Sequence, residues 1–145
     1  MINTKILLIS LILIISQTSL EKELWRLFEK TSFIEKYNRT YSTYFLYPKF
    51  PKELLALEGK QVTIKGFYIP LDWEENAIVI SKYPMAECFF CGGAGQESIA
   101  LAYLQKSPGR LKTDQIITVQ GTLHLNNTDV DDLNFIIKNA KIIYE

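Results

Sequence analysis

Two segments of this 145-residue chain carry β-branched residues leading up to a mid-strand glycine: Val62-Thr63-Ile64-Lys65-Gly66-Phe67 and Thr118-Val119-Gln120-Gly121-Thr122-Leu123. In the first, Val62 and Ile64 alternate with Thr63 and Lys65, the period-two pattern of a half-buried strand. A glycine in mid-strand weakens the strand unless the backbone must bulge or bend there, as at the corners of a small barrel. The segments extend to 61–69 and 116–125, and their likeness is that of two bent strands rather than of a true repeat. Ala77 to Ser81, residues 98–104, and the runs Phe135-Ile136-Ile137 and Ala140-Lys141-Ile142-Ile143-Tyr144 add three further strand-like regions. Residues 98–104 satisfy helix and strand periodicities alike, and strand is the preferred reading. About five bent strands in one run of chain predict a mainly β fold, a small OB-like barrel over residues 59–145.

Ahead of the barrel, the chain divides again. Lys5 is the only charge before the apolar run Ile6 to Ile15, which Ser10 alone interrupts, and Ser16-Gln17-Thr18-Ser19 follows. The run is about half of the roughly 20 residues a membrane-spanning helix needs. A positive start, a short apolar middle and a small-residue exit describe a signal peptide over residues 1–18. That predicts export to the periplasm or cell envelope, with no transmembrane segment left after cleavage. Residues 19–58 then form an N-terminal extension expected to pack on the barrel. Within it, Leu24, Trp25, Leu27 and Phe28 suit one short helical face, and the rings of Tyr37, Tyr41, Tyr44, Phe45, Tyr47 and Phe50 suit barrel-plugging or a ligand platform. Pro48 and Pro51 confine 47–51 to an extended loop or edge.

Loss of residues 1–18 removes Lys5 and leaves 15 basic against 16 acidic residues. Nucleic-acid binders carry a basic excess, so nucleic acid is not an expected partner, although many OB barrels bind it. At 48% hydrophobic composition the chain can build an apolar core without a disulfide scaffold.

The cysteine count is two, Cys88 and Cys91, in Glu87-Cys88-Phe89-Phe90-Cys91-Gly92-Gly93-Ala94-Gly95. Three chemistries fit this spacing. A disulfide between Cys88 and Cys91 suits an oxidising compartment, though a loop this short gains only roughly 2 kcal/mol from closure. Zinc accepts Cys-x-x-Cys ligands, and His124, the one histidine, is the candidate third, with water or a carboxylate from Glu87, Glu97 or the Asp129, Asp131, Asp132 group completing the set. No second Cys-x-x-Cys supports that site. Thiol–disulfide exchange, with Cys88 attacking and Cys91 resolving, requires a lowered thiol pKa. Gly92, Gly93 and Gly95 could free amides to steady a thiolate, whereas Phe89 and Phe90 supply an apolar setting that opposes one. No adjacent base, phosphate loop, dinucleotide fingerprint or nucleophile elbow points to another enzyme class. The motif readings favour a binding role over catalysis.

The segments Gly59-Lys60-Gln61-Val62-Thr63-Ile64-Lys65-Gly66-Phe67, Ile69-Pro70-Leu71-Asp72, Tyr83-Pro84, Cys88-Phe89-Phe90-Cys91-Gly92-Gly93-Ala94-Gly95 and Val119-Gln120-Gly121-Thr122-Leu123 with Asn126 resemble those of a family of exported bacterial proteins with an OB-like domain and no settled activity. The resemblance covers roughly residues 45–143, and the cysteine–glycine stretch is its distinctive part. It implies an envelope accessory protein, with another envelope protein or a transport system as partner.

Overall fold

The computed structural model describes residues 24–72 and 76–143. The signal peptide expected over 1–18 and the turn residues Trp73, Glu74 and Glu75 lie outside them. The described residues form seven strands: β1 (Ser32–Asn38), β2 (Thr43–Lys49), β3 (Gln61–Ile69), β4 (Ala77–Ser81), β5 (Ile99–Leu104), β6 (Ile116–Leu125) and β7 (Phe135–Ile143). Helical turns occupy residues 24–29 (α1) and Lys52–Leu55 (α2). Strands β3 to β7 close into a barrel in the order β3-β4-β5-β7-β6, and β6 pairs back onto β3. Only the β5–β7 pair is parallel. Counted within the barrel the order is 1-2-3-5-4, so the expected OB-like architecture is the observed one.

Alternation decides which side chains fill the barrel. On the directly paired strands β4 and β5, Ile78, Ile80, Ala100 and Ala102 belong to the main core with Ile64, Val119, Leu123 and Ile137. Val79 and Leu101, one residue out of phase, point to the outer surface and meet Ile69 there. The short strands read as continuous apolar runs because both of their faces are covered.

The N-terminal segment closes one opening of the barrel. Leu24, Trp25, Leu27 and Phe28 of α1 are all buried, as their spacing predicts for one helical face. Trp25 donates its indole N–H to the carbonyl of Lys65 at 2.8 Å, and Phe28 stacks on Phe135 with ring centroids 4.0 Å apart. Phe50 meets Phe135 edge-on, and Leu54 of α2 is fully buried in the same cluster.

Three sequence expectations change. Gly66 is no bulge, since β3 holds its register against β6 from Gln61 to Phe67. It marks instead the point where β3 comes against β4: a Cβ there would stand 2.5 Å from the Ser81 carbonyl oxygen. The β-bulge lies in β7, at Lys138 and Asn139, the polar pair between the two apolar runs. Both neighbours of β7 lose register there, and Asn139 takes φ 50°, a left-handed conformation asparagine tolerates. Of the six rings from Tyr37 to Phe50, only Phe50 plugs the barrel. The others sit on or beside the β1–β2 hairpin, a separate two-stranded sheet, where Tyr37, Tyr41 and Tyr44 are exposed.

Candidate functional site: the cysteine loop and the groove beside it

Residues 82–98 join β4 to β5 through three single 3-10 turns, Met85–Glu87, Phe89–Cys91 and Gln96–Ser98. The loop is anchored at several points. Lys82 pairs with Glu29, the Met85 amide donates to Asp114 Oδ1 at 2.7 Å, and the Ser98 hydroxyl donates to the Gly95 carbonyl at 2.6 Å. Gly92 takes φ 75°, and a Cβ on Gly93 would sit 2.5 Å from the Glu87 carbonyl oxygen, so glycine is required at both places to fold the loop back on itself.

This fold gives the two cysteines unequal positions. Cys88 is fully buried on the outer face of the barrel against Ile69, Val79 and Leu101. Cys91 is exposed. Both are thiols, and they stand 4.3 Å apart. Two of the amides expected to steady a thiolate are committed to the backbone: Gly93 donates to the Cys88 carbonyl, as Cys91 does, and Gly92 donates to the Phe89 carbonyl. Partial desolvation, and then the charge and hydrogen bond of Cys88, push the Cys91 thiol above its ordinary range. Cys91 therefore holds less thiolate at neutral pH than a free cysteine does. Alkylation of Cys91 by iodoacetamide at pH 7 should be slower than that of free cysteine and should rise about tenfold per pH unit up to its pKa. Fast alkylation that is flat across neutral pH would contradict the geometry.

His124 belongs to a different arrangement. It lies on β6, with Nδ1 3.0 Å from Glu58 Oε1, while Glu58 Oε2 accepts the Leu125 amide at 2.7 Å. Among the described residues, no three or more of His, Cys, Asp and Glu gather where they could hold a metal ion. The structure thus brings Cys88 and Cys91 together and leaves His124 with Glu58. Glu87 is exposed in the first 3-10 turn, and Glu97 lies in the third.

The three aspartates sit in the β6–β7 loop, residues 126–134, which Asn126 organises from within. Asn126 is only 5% exposed. Its Nδ2 donates to the carbonyls of Asp129 and Leu133 at 2.7 and 3.2 Å, and its Oδ1 accepts the amides of Thr128 and Asp129 at 3.2 and 3.0 Å. Tyr41, in the turn of the β1–β2 hairpin, donates its hydroxyl to Asp131 and so ties the hairpin to this loop. The Asp131 hydrogen bond holds the Tyr41 phenol above its usual range.

Hairpin, cysteine loop and β6–β7 loop together bound a groove of about 190 Å³. Phe45, Leu46, Tyr47 and Pro48 form one wall, Phe89 and Gln96 of the cysteine loop another, and Asn127, Asp129, Val130, Asp132 and Leu133 a third. Sequence reasoning singled out the cysteine loop and the aspartates without seeing that Phe89 of that loop shares a groove with Asp129 and Asp132, and it missed Glu58 and the hairpin. One signal for the hairpin was present: Phe33–Tyr37 and Thr43–Tyr47 flank Asn38-Arg39-Thr40, and Asn38 Oδ1 accepts the Thr40 amide at 2.9 Å as a turn-forming asparagine does.

No protein-family model matches the chain, and no curated protein matches it. The fold is similar to that of a DUF3299 family protein from Pseudomonas aeruginosa PAO1, known from a crystal structure, with a TM-score of 0.50 and 18% sequence identity over 68% of this chain and 68% of that one. At that identity the likeness concerns the fold alone. Among the described residues, no helix is long and apolar enough to cross a membrane.

Proposed function

We propose that the protein is an exported binding module of the cell envelope, and that its groove receives an apolar side chain followed by a basic group from an extended segment of a partner protein. The observation that carries this reading is the make-up of the groove. Phe45, Leu46, Pro48 and Phe89 offer an apolar seat, and Asp129 and Asp132 stand at its edge. A volume of about 190 Å³ falls below the roughly 300–1,000 Å³ of small-molecule and cofactor sites and suits one anchoring side chain. Tyr37, Tyr44 and Leu46 share one face of the adjoining hairpin and are exposed large hydrophobics, which extend the contact area on the side of Leu46. OB domains take oligonucleotides on the face of their second and third strands. Here Cys88 and its loop pack on the outer face of those strands, β4 and β5, which together with the absence of basic excess favours a protein ligand.

Peptides selected for binding to the purified protein should carry an aliphatic or aromatic residue beside Lys or Arg. Phe89→Ala should weaken their binding by about tenfold or more, the loss of one well-seated contact, and so should the Asp129→Asn, Asp132→Asn double variant. Selected peptides without that pattern, or variants that bind unchanged, would remove the reading. The address rests on residues 1–18 and has its own test. Fractionation should recover the protein outside the cytoplasm with an amino terminus close to residue 19, and full-length cytosolic product would discard export while leaving the groove reading standing.

A further inference from the structure

The two thiols differ in access far more than their spacing implies, and this fixes the order in which they can react. Cys88 is fully enclosed by Ile69, Val79, Leu101 and its own loop. Cys91, 4.3 Å away, is open to solvent. An external sulfur compound can reach Cys91 directly, whereas Cys88 is reached only from Cys91 or after the loop has opened. We infer that the pair is a site of thiol–disulfide exchange with low-molecular-weight disulfides, entered at Cys91 and resolved by the buried Cys88. That order is the reverse of the one the sequence suggests, in which the first cysteine of the motif attacks. The inference stands apart from the peptide groove and does not depend on it.

The steps balance as follows. Cys91 gives up its proton, and its sulfur attacks one sulfur of the external disulfide. A mixed disulfide forms on Cys91, and one external thiol leaves with the proton. Cys88 then loses its proton and attacks the Cys91 sulfur. The Cys88–Cys91 bond forms and the second external thiol leaves. Two protein thiols are oxidised, one external disulfide is reduced to two thiols, and no further reactant is needed.

The surroundings suit a slow site of modification. The amides of Cys91, Gly92 and Gly93 are bonded to carbonyls within the loop and offer the Cys91 sulfur no help. Resolution needs only a small movement within the Phe89–Cys91 turn, because the partner sulfur is already adjacent. Gly92, which ends that turn at φ 75°, gives it room to adjust.

The test uses the reduced, full-length mature protein and oxidised glutathione. Reaction is stopped at intervals with N-ethylmaleimide and the sites are mapped by mass spectrometry. In the wild type, glutathione should appear first on Cys91 and then give way to an internal disulfide, with two glutathiones released per protein. In Cys88→Ala the adduct on Cys91 should accumulate unresolved. In Cys91→Ala, Cys88 should be modified at least about tenfold more slowly, because it reacts only through local opening. Early mapping of the wild type gives the order of reaction even if Cys88→Ala folds poorly. First modification at Cys88, equal rates at the two positions, or a wild-type adduct on Cys91 that never resolves would each overturn the inference.

Discussion

Truncation of Phe135 to alanine is expected to remove about 3–5 kcal/mol of stability, as for other fully buried phenylalanines. Against a total of roughly 5–15 kcal/mol for an ordinary domain, this change alone approaches unfolding. The reason is its position rather than its size. Phe135 begins β7 opposite Leu125, stacks on Phe28 of α1 and meets Phe50 of the segment between β2 and α2. One ring therefore joins the barrel to both parts of the segment that closes it. Urea unfolding should show a lowered midpoint for Phe135→Ala, and a double-mutant cycle with Phe28→Ala should give a coupling of about 0.5–1.5 kcal/mol, the range for paired aromatic rings. A loss below about 1 kcal/mol, with no coupling, would mean that α1 rests on the barrel without contributing to its core.

The barrel was readable in the sequence because its strands bury regular patterns. Val62 and Ile64 alternate, residues 116–125 continue the pattern past Gly121, and the apolar run from Ala77 to Ser81 is short enough to be a buried strand. Of the hairpin only the turn at Asn38 left a signal, and its strands were not readable for a physical reason. Ile34 and Tyr37 fall on opposite faces of β1, and both are exposed, so no buried face imposes alternation on that strand. The role of Lys138 and Asn139 was half visible: the polar pair interrupts two apolar runs, but only the pairing on both sides distinguishes a bulge within one strand from a turn between two. Spacing singled out the cysteine loop as the candidate site. It could not give the inequality of the two thiols, because that depends on which outward-facing side chains the loop meets, and Ile69, Val79 and Leu101 come together only when β3, β4 and β5 pair. Asn126 in the sequence announces a turn, whereas in the structure it is the support of one wall of the groove.

That support makes Asn126→Asp the substitution that best separates architecture from contact. The change keeps the size of the side chain and leaves Oδ1 able to accept the amides of Thr128 and Asp129. It replaces the amide that donates to the Asp129 and Leu133 carbonyls with an oxygen that repels them, at a site only 5% exposed. Leaving a buried polar group unsatisfied costs about 1–3 kcal/mol and more when it is charged, so a loss of about 3 kcal/mol is expected at pH 7. The introduced carboxyl can relieve the conflict by keeping its proton, which then serves as a donor to one of the carbonyls. Its folded-state pKa should therefore lie above the unfolded value of about 3.9, so the native variant binds more protons than the unfolded chain. The penalty should shrink as pH falls toward that unfolded value and grow as pH rises through and beyond it, which denaturation at pH 4 and pH 7 would measure. Peptide binding should fall together with stability, because the loop bearing Asp129 and Asp132 loses its fixed shape although Asn126 itself does not line the groove. Asn127→Asp, one residue on and exposed, is the control: a solvated position should shift stability by no more than about 0.5 kcal/mol. If both substitutions change stability alike, the β6–β7 loop is held by something other than the Asn126 amide, and the proposed binding role loses its rigid wall.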